Sequence, residues 1–246
     1  MRIQYACVCH PGLRRKSNQD NLVWEEQCLP RINGGLSAPV IAERSFSEPM
    51  LFGVFDGMGG EPRGDAAAWL AAETAALSGG VRSGENLESL CRIMNGKICD
   101  YARANKLSAC GTTAALLLVE NGRITGCNLG DSRIYQYRHC MLSQASEDHV
   151  LPFCASGKPP LLQYLGIPEE EMRIEPFLFQ EKLQPNDLYL LCSDGLTDML
   201  DEDRILHILL ESGSVVEQAE ALLSGALAAG GKDNISFILV RDMGDI

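Results

Sequence analysis

Residues 112–137 read TTAALLLVENGRITGCNLGDSRIYQY, and this stretch decides the fold class. Short runs of apolar and β-branched residues are separated by the turn pairs Asn121-Gly122 and Gly130-Asp131. That pattern predicts a meander of antiparallel strands over Thr112–Val119, Arg123–Asn128 and Arg133–Tyr137. The stretches on either side change period. Upstream, the Ala-rich segment Pro62–Leu77 and the apolar spacing of Leu87, Leu90, Ile93, Met94, Ile98 and Tyr101 predict two helices, with Pro62 in the first turn of one. Downstream, 201–211 and 214–229 predict a second helix pair ending at Gly230-Gly231.

Further strands are expected at residues 2–9, Asn21–Leu29, Met50–Phe55, Arg173–Phe179, Leu188–Ser193 and Ile235–Val240. Residues 30–49 carry Gly34-Gly35, Pro39 and Pro49 and read as a loop, as does the Pro-rich stretch 144–170. Strands come in blocks and helices in pairs, without βαβ alternation. The fold class expected is therefore α+β, with antiparallel sheets packed face to face and helix pairs on their outer faces, in a single domain spanning 1–246.

Composition narrows the function. Hydrophobic residues make up 46% of the 246 residues and charged residues 22%, an ordinary globular mix. The net charge is −12, and residues 124–246 carry the whole acidic excess. Such a chain does not hold nucleic acid by bulk charge. No apolar run approaches the ~20 residues a membrane span requires, and the N-terminus lacks the apolar core of a signal peptide. The ten cysteines show no two-residue spacing of a zinc or redox motif. Cys7, Cys9 and His10 could be metal ligands, but alternation puts both thiols on one strand face as small buried hydrophobes. A reduced, cytoplasmic protein is expected.

Several aspartates sit at predicted strand ends, most beside glycine: Asp20, Asp56, Asp131, Asp194 and Asp233. Any one Asp-Gly pair is ordinarily a turn. Five without a matching run of Lys or Arg would repel one another if a sheet edge gathers them. Oxygen donors of this kind suit Mg²⁺ or Mn²⁺, in one site or a pair.

The ordered set Arg15-x-x-Asn18-Gln19-Asp20, Asp56-Gly57-Met58-Gly59-Gly60, Gly111-Thr112-Thr113, Gly130-Asp131-Ser132-Arg133, Ser193-Asp194-Gly195-Leu196-Thr197-Asp198 and Asp233-Asn234 resembles the metal-dependent serine/threonine protein phosphatases of type 2C. The resemblance runs over residues 12–240. It implies a two-sheet sandwich flanked by antiparallel helix pairs, with two metals, and room for a third, at one end. It implies that Asp56 bridges the two metals, that Asp194 and Asp233 complete the first site, and that the Gly57 carbonyl binds the second. Asp131, with Asp194, matches the third-metal position. Asp20 would hold a water that touches a metal, Asp198 would position another, and Arg15 would fork onto the phosphate oxygens. Thr112, Thr113, Ser132 and Arg133 read as structural.

The chemistry implied is hydrolysis of phosphoserine and phosphothreonine in proteins. A water bridging two divalent ions becomes hydroxide near neutral pH and attacks phosphorus in line, without a covalent intermediate. Cys110 and Cys192 are then not nucleophiles. Phosphorylated protein substrates, a partner serine/threonine kinase, a signalling role and a monomer are expected, with no nucleic acid and no membrane. The sequence departs from many family members in three places. Met58 stands where a proton-donating His is common, so metal-bound water is the default acid. Gln19 replaces a common Glu. The flap that follows His149 is reduced to residues 152–168, where His149 itself reads as a loop residue with a structural hydrogen bond. Two rival readings are a non-catalytic binding domain, which should lack the metal-site aspartates, and a hydrolase of small phosphate esters or nucleotides.

Overall fold

The structure is a computed structural model that describes residues 1–58, 63–78, 85–120, 122–152 and 157–244. Gly59, Gly60, Pro62 and Asn121, singled out in the sequence, lie outside the described residues.

The chain runs β1 (Arg2–His10), β2 (Asp20–Trp24), β3 (Gln27–Cys28), β4 (Val40–Ser45), β5 (Met50–Asp56), α1 (Gly64–Leu77) and α2 (Glu85–Ala104). It continues β6 (Ala114–Glu120), β7 (Arg123–Leu129), β8 (Arg133–Arg138), β9 (Met141–Gln144), β10 (Phe177–Lys182) and β11 (Leu188–Cys192). The last elements are α3 (Asp194–Thr197), α4 (Glu202–Glu211), α5 (Val215–Ala228) and β12 (Ile235–Asp242). The strands form two six-stranded sheets, ordered β4-β1-β12-β11-β8-β9 and β10-β7-β6-β5-β2-β3. Every ladder is antiparallel. The α+β sandwich with flanking helix pairs is as the sequence predicts.

Three apolar clusters make the layers. Tyr5, Phe52, Leu117, Tyr189 and Ile238 fill the space between the sheets, where the Tyr5 and Phe52 rings meet with centroids 5.2 Å apart. α1 and α2 cover the β5–β6–β7 face through Ala67, Ala71, Leu87 and Met94. α1 is Ala-rich on nearly all sides, so it lies close against the sheet rather than presenting one stripe. α4 and α5 cover the other sheet through Ile205, Leu209, Leu222 and Phe237. Their ends are set locally: Asp201 accepts from the Arg204 amide, and Ser214 with Glu217 forms a capping box.

Four details correct the sequence reading. Asn21–Leu29 is two strands, not one, because Glu25 turns at φ 55°. The stretch 30–49 contains β4, an edge strand whose mostly exposed residues lack an apolar signal. The predicted meander breaks after β7: Gly130 at φ 95° sends β8 into the other sheet, where it pairs β11 and β9. The strand expected at Arg173–Phe179 begins at Phe177, in a register that lays the Phe179 ring on Gly126.

Gly195 tests how tightly the strand ends are joined. A Cβ there would strike the backbone carbonyl of Asn234, whereas one on exposed Gly96 in α2 meets nothing within 4 Å. Urea unfolding of Gly195→Ala is expected to show a loss of roughly 1–3 kcal/mol. Gly96→Ala is expected to gain about 0.5–1 kcal/mol.

Candidate metal centre

The antiparallel register places Asp20, at the start of β2, directly opposite Asp56, at the end of β5. β6 starts and β7 ends at that same end of the sheet, paired through Ala114 and Leu129, and Asp131 follows β7. In the other sheet Cys192 at the end of β11 pairs Arg133, at the start of β8, and Phe237, two residues into β12. Asp194 and Asp233 flank those ends, and both line one cavity of about 230 Å³ with Arg15, Asp56, Met58 and Lys158. Five aspartates from separate segments therefore gather at one end of the sandwich. A larger cavity, about 670 Å³, opens at the opposite end of β2 and β5 beside Glu25 and Glu48. There Glu25 is bound by Tyr5 and Arg44, each at 2.8 Å.

The backbone around Asp56 is clamped. Its carbonyl accepts from the Thr112 hydroxyl at 2.8 Å and the Thr113 amide at 2.9 Å. Its amide donates to the Thr113 hydroxyl, which also bonds Ser132 Oγ at 2.6 Å. These residues are structural, as read. Arg133 is as well, forking onto Asp148 and bonding the Tyr135 hydroxyl. Gly57 has no room for a side chain, since a Cβ would lie 2.5 Å from the Gln19 carbonyl. Asp20 is buried and rests on a polar floor: Ser193 Oγ donates to its Oδ2, and the Ser236 amide donates to Ser193 Oγ. Asn234 ties the approach together, accepting from the Gln19 amide and donating to the carbonyls of Pro11 and Ser17.

The electrostatics follow from this crowding. Burial pushes Asp56 well above the carboxylate range, reinforced by the fields of Asp20, Asp131 and Asp233. Burial also raises Asp20, with the field of Asp233, against hydrogen bonds from Ser236 and Ser193. Two cations answer the remaining charge. Arg15 forks onto Asp233, Nε to Oδ1 at 2.7 Å and Nη2 to Oδ2 at 2.6 Å. Lys158 Nζ lies 2.9 Å from Asp131 Oδ2 and also touches Asp194 Oδ2.

With these pairs in place, no three His, Cys, Asp or Glu side chains among the described residues form a ready-made metal cage. The donor set still fits a hard divalent cation. Asp194 Oδ1 is buried without a hydrogen-bond partner. The Asp20 and Asp56 carboxyls lie in hydrogen-bonding reach of each other. Oxygen donors so placed suit Mg²⁺ or Mn²⁺.

The other residues predicted for the site divide. Asp198 caps α3, its amide bonding the Asp194 carbonyl, and its side chain is exposed outside the cavity lining. His149 exchanges hydrogen bonds with Gly130, its amide to the Gly130 carbonyl and its Nδ1 accepting from the Gly130 amide. Cys7 and Cys9 are buried between the sheets, and burial lifts the Cys9 thiol to about 12. It lifts Cys110 to about 11 and Cys192 to about 12, far from a thiolate nucleophile. Lys158 was not foreseen, because a lone Lys in a Pro-rich loop carries no local sign of what it will face.

The profile of the family described as "Protein phosphatase 2C" matches residues 43–229. The serine/threonine phosphatase stp of Listeria monocytogenes is 32% identical over 235 residues, covering 86% of this chain and 90% of that protein. The serine/threonine protein phosphatase PstP of Mycobacterium tuberculosis is 28% identical over 258 residues, covering 99% of this chain and 45% of that protein. The crystal structure of that M. tuberculosis phosphatase superposes with a TM-score of 0.79 at 25% identity, covering 99% of this chain and 100% of the other.

Raised carboxyls make a stability prediction. A carboxyl whose folded pKa is raised contributes stability that is full below the ordinary carboxylate range and is lost as pH rises through the folded value. In chelator, the melting temperature of the protein is therefore expected to rise as pH falls from 8 to 6. Asp56→Asn should flatten that slope. It should also raise the chelated melting temperature at pH 8 by roughly 2–4 °C, the effect of relieving a like-charge cross-strand pair worth up to ~1 kcal/mol. Differential scanning calorimetry reads both.

Proposed function

This chain belongs to the protein phosphatase 2C family, and from that premise we propose that it hydrolyses phosphoserine and phosphothreonine in proteins with Mg²⁺ or Mn²⁺. The chain is thus a serine/threonine protein phosphatase of type 2C; the metal, its ligands and the route of hydrolysis are the proposal. One observation carries it: Asp20 faces Asp56 across antiparallel strands at the end of the sandwich that also gathers Asp131, Asp194 and Asp233. Nothing in packing rewards five carboxylates there, and divalent cations do.

Asp56, Asp194, Asp233 and the Gly57 carbonyl would hold two ions, with Asp131 and Asp194 at an outer third position. When bound, the ions supply a deprotonated water as nucleophile and positive charge for the phosphoryl oxygens. The chain's own groups do the rest. Asp20, held by Ser193, would orient water. Arg15 already displays a two-pronged grip on a carboxylate, and a phosphate offers the same pair of oxygens. The Thr112–Thr113 clamp fixes where Asp56 points. In the reaction the ester P–O bond breaks, a P–O bond to the water oxygen forms, and the departing oxygen takes a proton to regenerate the Ser or Thr hydroxyl. Met58 lines the cavity but its thioether has no proton to give. The domain is proposed to act alone as a monomer on protein substrates. Its placement in the cytoplasm rests on composition, and among the described residues no helix is long and apolar enough to cross a membrane.

With Mn²⁺ present, a phosphothreonine peptide should be turned over and a nucleotide should not; the reverse preference would favour the small-ester reading. Excess EDTA should abolish turnover, and Asp194→Asn should do the same with the fold intact by circular dichroism. Arg15→Ala should lower kcat/KM by roughly 10²–10³-fold, the cost of one preorganised donor to developing charge. Its Mn²⁺ affinity, read by calorimetry, should not fall, because Arg15 is no ligand.

A further inference from the structure

Lys158 sits where the outer cation of this site would sit. Its ammonium is 2.9 Å from Asp131 Oδ2 and in contact with Asp194 Oδ2, bridging the two carboxylates that form the outer position. Those side chains are only 11% and 14% exposed, so water does little to replace a lost partner. Among the described residues Lys158 is the one cation paired with either of them. The lysine is also held in place by its own segment. Val150 and Leu161 form an antiparallel bridge, the Leu151 amide bonds the Pro160 carbonyl and the Leu162 amide bonds the His149 carbonyl. His149 in turn bonds Gly130, the residue before Asp131. The loop base is thus fastened to the very turn that presents Asp131, with Pro159 and Pro160 stiffening the chain next to the lysine.

We propose that Lys158 is a built-in competitor for the outer cation position, so that its ammonium and a third divalent ion bind the Asp131–Asp194 pair in turn and never together. The inference rests on the metal reading above and deepens it. Two charged groups cannot share one pair of carboxylate oxygens at contact distance. Whatever free energy the lysine contributes to the pair must be surrendered when an ion takes its place. The core pair shares Asp194 with this exchange but keeps Asp56, Asp233 and the Gly57 carbonyl, and among the described residues Lys158 forms ion pairs with neither Asp56 nor Asp233. The consequence is a chain with two tight ion sites and a deliberately weak third, whose occupancy is set by the position of one loop side chain.

The test is Mn²⁺ titration of the full chain by isothermal calorimetry, with free Mn²⁺ followed by electron paramagnetic resonance. The variants are Lys158→Met, which keeps length and removes charge, and Lys158→Arg, which keeps charge. The Lys158 side chain is 47% exposed, so neither should disturb folding, and thermal unfolding in EDTA checks this. Lys158→Met is expected to tighten the weakest site by about fivefold to tenfold, the range of a partly exposed charge-assisted pair. The tight sites, which share only Asp194 with the lysine, should change less than the weak one, and Lys158→Arg should keep the weak site weak. Asp131→Asn should remove that site in either background. If Lys158→Met leaves the weakest site unchanged while Asp131→Asn still deletes it, the competition is overturned and the metal reading stands. If wild type binds no Mn²⁺, the metal reading falls and the inference falls with it.

Discussion

The repulsion between Asp20 and Asp56 is the constraint on which the rest of this end of the molecule depends. Like charges opposite one another on antiparallel strands oppose the pairing that creates them. Here the ladder β2–β5 is nevertheless continuous up to the pair. What holds it is the apolar ladder behind: Leu22, Val23, Phe52 and Val54 are fully buried on either side of the sheet. The sandwich core therefore stabilises a charge arrangement that no local interaction favours, the usual signature of a site kept for function rather than for stability.

Around that pair the structure sorts its polar residues by task. Thr112 and Thr113 serve the backbone of Asp56, with Ser132 bonded to the Thr113 hydroxyl, and Ser193 and Ser236 serve the carboxyl of Asp20. Asn234 sews the segment before β2 to the start of β12. None of these groups faces the cavity as a charge. Their contribution is to remove freedom from the carboxylates, so that a ligand need not order them on arrival. Arg15 and Lys158 do the opposite work, neutralising the mouth of the site with side chains long enough to leave it.

How much of this could be read in the sequence depends on whether the signal was local. The aspartates announced themselves because glycine and strand ends lie beside them in the chain, and the helix pairs because their apolar spacing is intrinsic. β4 was missed because an exposed edge strand needs only one partner, and its sequence Val40–Ser45 shows no buried face. The crossing of β8 was missed because the Gly130 turn looks like a hairpin turn until the second sheet is present to receive it. The start of β10 was set by Phe179 finding space over Gly126, a contact between residues far apart in sequence. Lys158 was invisible for the same reason, since its identity as a partner of Asp131 exists only once the loop is folded back on Gly130.

The position of β12 between β1 and β11 carries a consequence for how the chain comes into being. The strand nearest the N-terminus finds its main partner only in residues 235–242. Arg15 likewise meets Asp233 from 218 positions away. A ribosome releasing the chain in order can assemble β5, β6 and β7 early, since those neighbours are close in sequence. It cannot close the other sheet, or join its aspartates to Asp20 and Asp56, until nearly all of these residues have emerged. Nascent chains are thus inert by topology, and the slow pairing of distant strands sets the moment at which the activity first exists.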